Sequence, residues 1–150
     1  MITDQGLSLI KYFEGCKFKA YQDTAGVWTI GYGHTKDVEE GDACTQDEAN
    51  AWLIEDLKEA EKRVNLFVKI PLVQCELDSL ISSAYNIRSF PQLAAHLKEG
   101  KDIFLSKLLL YCHDVAGHEL LGLKKRRYAE SYLFQGMLWN DILSKLETIK

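Results

Sequence analysis

Three side chains near the start of the chain could do acid–base chemistry together. Glu14 ends an apolar helical pattern, Asp23 follows nine positions later, and Thr29 comes six positions after that. A separated pair of carboxylates is the equipment of glycosidic bond cleavage. One carboxyl protonates the leaving oxygen, and the other acts as a base or stabilises the oxocarbenium-like transition state. A nearby hydroxyl can hold the attacking water. Taken alone, two acids at this spacing are also what solvated surface residues look like, because Asp and Glu are mostly exposed. Their surroundings are less ordinary: Phe18, Tyr21, Trp28 and Tyr32 lie among them, with glycines at 15, 26, 31 and 33.

Local sequence says how these groups are positioned. Thr3 reads as an N-cap, with Ile2 and Leu7 placed as a hydrophobic staple. Leu7, Ile10 and Glu14 then share one helical face, with Phe13 beside it. Glu14 therefore falls in the last turn, and Gly15 ends the helix. Residues 16–42 hold four of the ten glycines and the β-type patch Val27-Trp28-Thr29-Ile30. Short strands joined by a turn at Thr24-Ala25-Gly26 follow.

From residue 45 the period becomes helical. Thr45 and Glu48 fit a capping box. Ala49, Trp52, Leu53, Leu57, Ala60, Val64 and Phe67 recur every three or four residues, so one long helix is expected to about residue 67. Pro71 is expected to open the next helix, with Val73, Leu77, Leu80, Ile81 and Ala84 inward. Pro91 opens a short one that Gly100 closes. Asp102 is placed to cap a fourth, carrying Leu105, Leu108, Leu109 and Cys112. A loop is expected at 114–122, a helix from about 123, and a last amphipathic stretch from Leu138 to Ile149.

Glu14, eight residues, Asp23, five residues, Thr29, then Ile30-Gly31-Tyr32-Gly33-His34 resembles the phage-type lysozymes of glycoside hydrolase family 24. Gly122-Leu123-Lys124-Lys125-Arg126-Arg127-Tyr128-Ala129-Glu130 is similar to the late Gly-Leu-x-x-Arg-Arg-x-x-Glu segment of that family. Ala84-Tyr85-Asn86 sits where the family lines its cleft. After Asn86 this chain departs from the family's glycines and small residues with Ile87-Arg88-Ser89-Phe90-Pro91, a shortened and stiffened segment.

The resemblance implies an α+β, mostly helical, lysozyme-like fold. It would be a single domain over 1–150, with a small β lobe at about 16–44 and a helical lobe at about 45–150 that includes the N-terminal helix. It implies cleavage of peptidoglycan glycan strands at the bond between N-acetylmuramic acid and N-acetylglucosamine. Glu14 would be the general acid, Asp23 would orient a water or stabilise charge, and Thr29 would help hold that water. Tyr21, Tyr32, Thr35, Tyr85 and Asn86 are candidate substrate contacts. His34, Arg126 and Arg127 are candidate structural supports, with His34 tying the β lobe to the long helix. Aromatic residues of a small lobe also serve simply as its core. Two other functions keep the same residues in play: a secreted antibacterial muramidase effector, and a peptidoglycan-binding module without catalysis. A binder has no need of Glu14, Asp23 and Thr29 together.

Composition narrows the partners. Residues 1–60 carry five lysines against twelve acids, net −7, and residues 61–150 carry thirteen Lys and Arg against ten acids, net +3. No basic stripe interleaved with aromatics points to nucleic acid. No run approaches the ~18 apolar residues of a membrane span. The first residues, Met-Ile-Thr-Asp-Gln-Gly, lack a basic and an apolar secretory region. The expectation is therefore a chain made in the cytoplasm. The resemblance implies a monomer made in the host cytoplasm that acts on the periplasmic wall, with holin-dependent access if it is a phage protein. No cofactor is implied. Cys16, Cys44, Cys75 and Cys112 have no Cys-x-x-Cys spacing, and free thiols suit a cytoplasmic origin. A metal is not expected either, because His113 and His118 are five apart rather than the four of a helical zinc pair.

Overall fold

Two local devices set where the first helix begins and ends. The computed structural model describes residues 1–150, and α1 spans Asp4–Glu14. The Thr3 carbonyl accepts the Leu7 N–H at 3.0 Å. The Thr3 hydroxyl does not cap the helix as expected. It donates to Asp78 Oδ2, while the Thr3 N–H bonds Asp78 Oδ1 at 3.1 Å. Bonding this charged acceptor turns the hydroxyl away from the first-turn N–H groups from which a cap would accept. At the other end Gly15 adopts φ +64°, and its N–H bonds the Lys11 carbonyl at 3.0 Å. That left-handed turn strains any side chain, so glycine is the natural stop.

The chain forms two compact units, Lys11–Glu59 and Met1–Ile10 with Ala60–Lys150. The smaller unit thus begins inside α1 and ends inside the long helix.

In the smaller unit, β1 (Lys17–Gln22) pairs antiparallel with β2 (Trp28–Gly31). Tyr21 faces Thr29 and Gln22 faces Trp28, with an irregularity between Lys17 and Tyr21. A single bridge, Lys19 to Ala43, adds the returning chain to the other edge of β1. Then α2, Gln46–Phe67, runs 22 residues, roughly 33 Å at 1.5 Å per residue. Its capping box is complete: the Glu48 N–H bonds Thr45 Oγ1 at 3.1 Å and the Thr45 N–H bonds Glu48 Oε1 at 3.0 Å. Ile30, Ala49, Leu53 and Leu57 are buried. Gly31 lets the end of β2 close on α2. A Cβ there would stand 3.2 Å from that of Ala49, and its φ of +65° already disfavours one.

The larger unit is helical: α3 (Gln74–Asn86), α4 (Phe90–Ala95), a 3-10 turn at His96–Glu99, α5 (Lys101–Leu108), α6 (Leu121–Phe134) and α7 (Trp139–Leu146). Its core is Leu80, Ile81, Phe90, Leu93, Phe104, Leu108, Leu133 and Ile142. α3 packs along α6, and the contact face of α3 carries Ser79, Ser82 and Ser83, all fully buried. Small side chains let two helices approach closely, but each buried hydroxyl then needs a partner. Arg63, late in α2, supplies donors to the end of α3. It bonds the Ala84 carbonyl and, at 3.0 Å, that of Arg88, which suits a cation at a helix C-terminus. The segment after Asn86 buries Ile87 and Phe90, so its departure from the family pattern is filled with core side chains.

Several sequence expectations shift. α3 starts at Gln74 rather than at Pro71, because Glu76 reaches back to the Val73 N–H at 3.0 Å and sets the first turn there. Val73 is consequently 62% exposed rather than inward. Asp102 lies inside α5, whose N-cap is Gly100. Cys112 is buried but lies beyond α5, in a loop that begins earlier than 114. α6 begins at Leu121, where the Leu120 carbonyl accepts the Lys124 N–H at 2.9 Å.

Candidate active site

The site is built on the end of one helix and one hairpin of the smaller unit. Glu14 is the last residue of α1, half-buried. Asp23 follows β1 and makes the hairpin turn: its Oδ1 accepts the N–H groups of Ala25 and Val27, each at 2.9 Å. The main chain closes the same turn through the Asp23 N–H to the Val27 carbonyl at 3.0 Å and the Gly26 N–H to the Asp23 carbonyl at 2.9 Å. This is an Asx-type turn, which needs a short side-chain acceptor at that position. Oδ2 takes no part in it. One carboxylate oxygen thus locks the side chain in place while the group stays exposed.

Thr29 sits opposite Tyr21 across the hairpin, on the same face. It is buried, and its hydroxyl donates to the Val27 carbonyl at 2.9 Å. That bond uses the proton and leaves the oxygen lone pairs as acceptors. Tyr21 reports on both carboxylates. Its phenol is held above the ordinary value, first by burial and then by the negative charges of Glu14 and Asp23. A charge shifts a neighbour's proton equilibrium noticeably only at short range. Both carboxylates thus act on this phenol through space, and Thr29 faces Tyr21 across the strand pair.

The other candidate residues fall in different settings. Tyr32 is buried at 9% exposure, and its hydroxyl accepts from Gln46 Nε2 at 3.0 Å. Lys11 Nζ lies 5.6 Å from its ring centre. Thr35 is exposed. His34 is buried, with Nδ1 2.9 Å from Asp56 Oδ2 and its ring stacked on Trp52 at 4.8 Å and 9°. Both partners lie on α2. His34 and Trp52 also line a cavity of about 510 Å³ with Lys36, Glu48, Glu55 and Asp56.

In the larger unit, Tyr85 is half-buried and Asn86 exposed at the end of α3. Arg126 and Arg127 are buried and converge on the fully buried Glu130. Arg127 Nη2 is 2.6 Å from Glu130 Oε1 and 2.6 Å from Asn86 Oδ1, and Arg126 Nε is 3.6 Å from the same Glu130 oxygen. Neither contact to Oε1 has aligned hydrogen-bond geometry, so that oxygen is held by charge rather than by direction. The other carboxylate oxygen accepts from Ser83 Oγ at 2.6 Å, and the Glu130 carbonyl accepts from Ser79 Oγ at 2.6 Å. Burial pulls the Arg127 guanidinium below its ordinary value, against the opposing pull of Glu130. Asn86 and Arg127 also border a cavity of about 720 Å³ with Arg88, Gln92, Tyr111 and His113. Neither cavity is lined by Glu14, Asp23 or Thr29.

The chain is similar to known proteins. Residues 11–130 match the family described as phage lysozyme. The chain belongs to the phage lysozyme family. The match spans both the hairpin that carries Asp23 and Thr29 and the helix that carries Glu130. The chain is 36% identical to the endolysin of Acyrthosiphon pisum secondary endosymbiont phage 1, across 89% of this chain and 97% of that one. Among solved structures, it is similar to the muramidase domain of SpmX from Asticaccaulis excentricus. That likeness has a TM-score of 0.85 and 34% identity over 91% of this chain and 99% of the domain. It is also similar to the endolysin from Escherichia coli O157:H7 phage FAHEc1, with a TM-score of 0.79 and 31% identity over 91% and 94%. The mostly helical fold with a two-stranded sheet is thus that of phage lysozymes.

Some supporting residues were not legible beforehand. Trp52 and Asp56 are the partners of His34, and their positions on α2 could have suggested it only once the hairpin was known to pack there. The serine row of α3 had a local signal: hydroxyls at 79, 82 and 83 interrupt the apolar face at helical spacing. Such a row calls for buried partners on a neighbouring helix: Glu130 accepts from Ser79 and Ser83, and Arg126 donates to Ser82.

Proposed function

We propose that this chain is a muramidase that cleaves the β-1,4 bond between N-acetylmuramic acid and N-acetylglucosamine in bacterial peptidoglycan, in the setting of phage-driven host lysis. The observation that carries the reading is the placement of Glu14 at the end of α1, Asp23 locked in the hairpin turn and Thr29 on β2 facing Tyr21. Glu14 delivers a proton to the bridging oxygen as the sugar–oxygen bond breaks. Asp23, locked through Oδ1, offers Oδ2 to orient a water or to stabilise the positive charge that grows at the anomeric carbon. Thr29, its proton committed to Val27, can only accept, and so aligns a water by taking one of its hydrogens. Tyr21 borders this space as a sugar contact. Tyr32 and Thr35 in the smaller unit and Tyr85 and Asn86 in the larger are proposed substrate contacts. His34, Arg126 and Arg127 hold their elements in place. The wall polymer is reached through a holin after synthesis in the host cytoplasm, and the enzyme acts as a monomer. No helix is long and apolar enough to cross a membrane.

Glu14→Gln keeps the size of the side chain and removes its transferable proton. Positioned general acid catalysis is worth roughly 10²–10⁴-fold. The variant is expected to fold, to sediment with purified sacculi, and to lose at least about a hundredfold in muropeptide release. Wild-type release by this variant removes Glu14 from the acid role. A wild type that binds sacculi and releases nothing establishes the binding-module function instead.

A further inference from the structure

The loop between α5 and α6 gathers soft and hard metal ligands that the proposed reaction leaves unused. Cys112, His113 and Glu119 each offer a ligand atom, and the three atoms lie within 4.8 Å of one another. Cys112 Sγ is 3.7 Å from His113 Nδ1. A tetrahedral zinc ion with its usual bond lengths would set a sulfur and a nitrogen roughly 3.5 Å apart. The pair is thus already near the edge of a coordination tetrahedron.

The backbone keeps the trio together. His113 and Glu119 form an antiparallel bridge. The Leu120 N–H bonds the Cys112 carbonyl at 2.9 Å, and the Asp114 N–H bonds the His118 carbonyl at 2.9 Å. Asp114 Oδ1 accepts the Ala116 and His118 N–H groups at 3.0 and 2.9 Å, and Gly117 takes the left-handed position at φ +88°. Six residues of sequence thus separate Cys112 from Glu119, and a tight hairpin closes that gap. His118 turns to Asp114 at 3.3 Å and is not part of the set.

From this geometry we infer a divalent zinc site formed by Cys112, His113 and Glu119. Cys112 gives its thiol proton to solvent on binding, His113 loses its weak 3.4 Å contact with the Leu110 carbonyl, and Glu119 exchanges Lys124, at 3.3 Å, for the ion. Three protein ligands leave the fourth position to water. Thiolate, imidazole and carboxylate together favour zinc over calcium or magnesium, which take oxygen ligands. The ion clamps the hairpin. His113 and Asp114 line the 720 Å³ cavity with Asn86 and Arg127, so the clamp also stiffens that wall.

The test is calorimetric titration of the reduced chain with zinc chloride, repeated with cobalt chloride followed by absorbance. One zinc per chain is expected, with a thiolate-to-cobalt band in the near ultraviolet. Excess zinc should raise the melting temperature by roughly 5 °C. Cys112→Ser should abolish the band and weaken zinc at least about tenfold. Because Cys112 is buried, exposed His113→Ala and Glu119→Gln decide the matter if that variant fails to fold, and each should weaken zinc by a similar factor. Cys75→Ser and His118→Ala should leave the affinity unchanged. Absence of stoichiometric binding, or equal binding by His113→Ala and Glu119→Gln, overturns the site.

Discussion

The two units of this protein treat their charged groups in opposite ways. The smaller unit, Lys11–Glu59, carries eleven acids against five lysines and leaves most of its acids exposed. It fixes several of them with backbone N–H groups. Asp23 takes the donors of its own turn, and Glu48 takes the donor of its helix cap. The larger unit buries Glu76, Asp78, Arg126, Arg127 and Glu130, and satisfies them largely with other side chains, some one helical turn away and some distant. The difference matters for chemistry. A carboxylate pinned by two amides through one oxygen is rigid and still has an oxygen to offer. A carboxylate shared among two guanidinium groups and a serine is consumed by the fold. In the proposed reaction Asp23 is an acid of the first kind, whereas Glu130 is of the second.

That contrast can be broken most forcefully at Glu130. Glu130→Ala leaves two buried guanidinium groups without their anion, and breaking a buried pair costs about 3–5 kcal/mol. Urea unfolding should show a loss of that order. The equivalent change at the half-buried Glu14, Glu14→Gln, should cost less, about 1 kcal/mol. Equal losses at the two positions would erase the distinction between reactive and structural acids.

Thr29 sits between the two kinds, buried but bound only to its own hairpin. Thr29→Ser keeps the hydroxyl and should retain most muropeptide release. Thr29→Val keeps the shape and removes one of the two donors to the Val27 carbonyl, which keeps the Asp23 N–H. It should cost about 0.5–1.5 kcal/mol and release markedly less per folded molecule. Equal activity of the two variants would show that the hydroxyl holds no water.

Local fixing is sharpened by Thr45→Ala, which removes one side of the α2 capping box and should cost about 1 kcal/mol. Hydrogen exchange should localise the change to the first turn of α2.

The smallest effect is the most direct. Tyr21 titrates above its ordinary value partly because Glu14 and Asp23 are charged. Glu14→Gln should lower its titration midpoint, and Asp23→Asn should lower it less, with the burial contribution left in both. The sign for stability follows from the raised value. The neutral phenol is favoured in the folded state, so this contribution is present below the free phenol's pKa near 10 and fades as pH rises through the higher folded value. A Tyr21 midpoint unmoved by either variant would separate the two carboxylates in solution.

Much of this was readable in the chain, because the deciding bonds span few residues. The Thr45–Glu48 box, the Gly15 stop and the turn that follows Asp23 each close within four positions. Their partners are therefore written beside them. The registration of Glu14, Asp23 and Thr29 with the family pattern likewise needed only spacing. Tertiary structure decided the rest. Thr3 gave its hydroxyl to Asp78, 75 positions away, and Glu130 met hydroxyls of α3, 47 and more positions away. Periodicity says which face of a helix is buried. It does not say which polar groups will meet there, since that depends on how two faces register in space. The Cys112, His113 and Glu119 cluster has the same origin. Spacing alone argued against a metal through His113 and His118, and only the closed hairpin put a different set of ligands within reach of one ion.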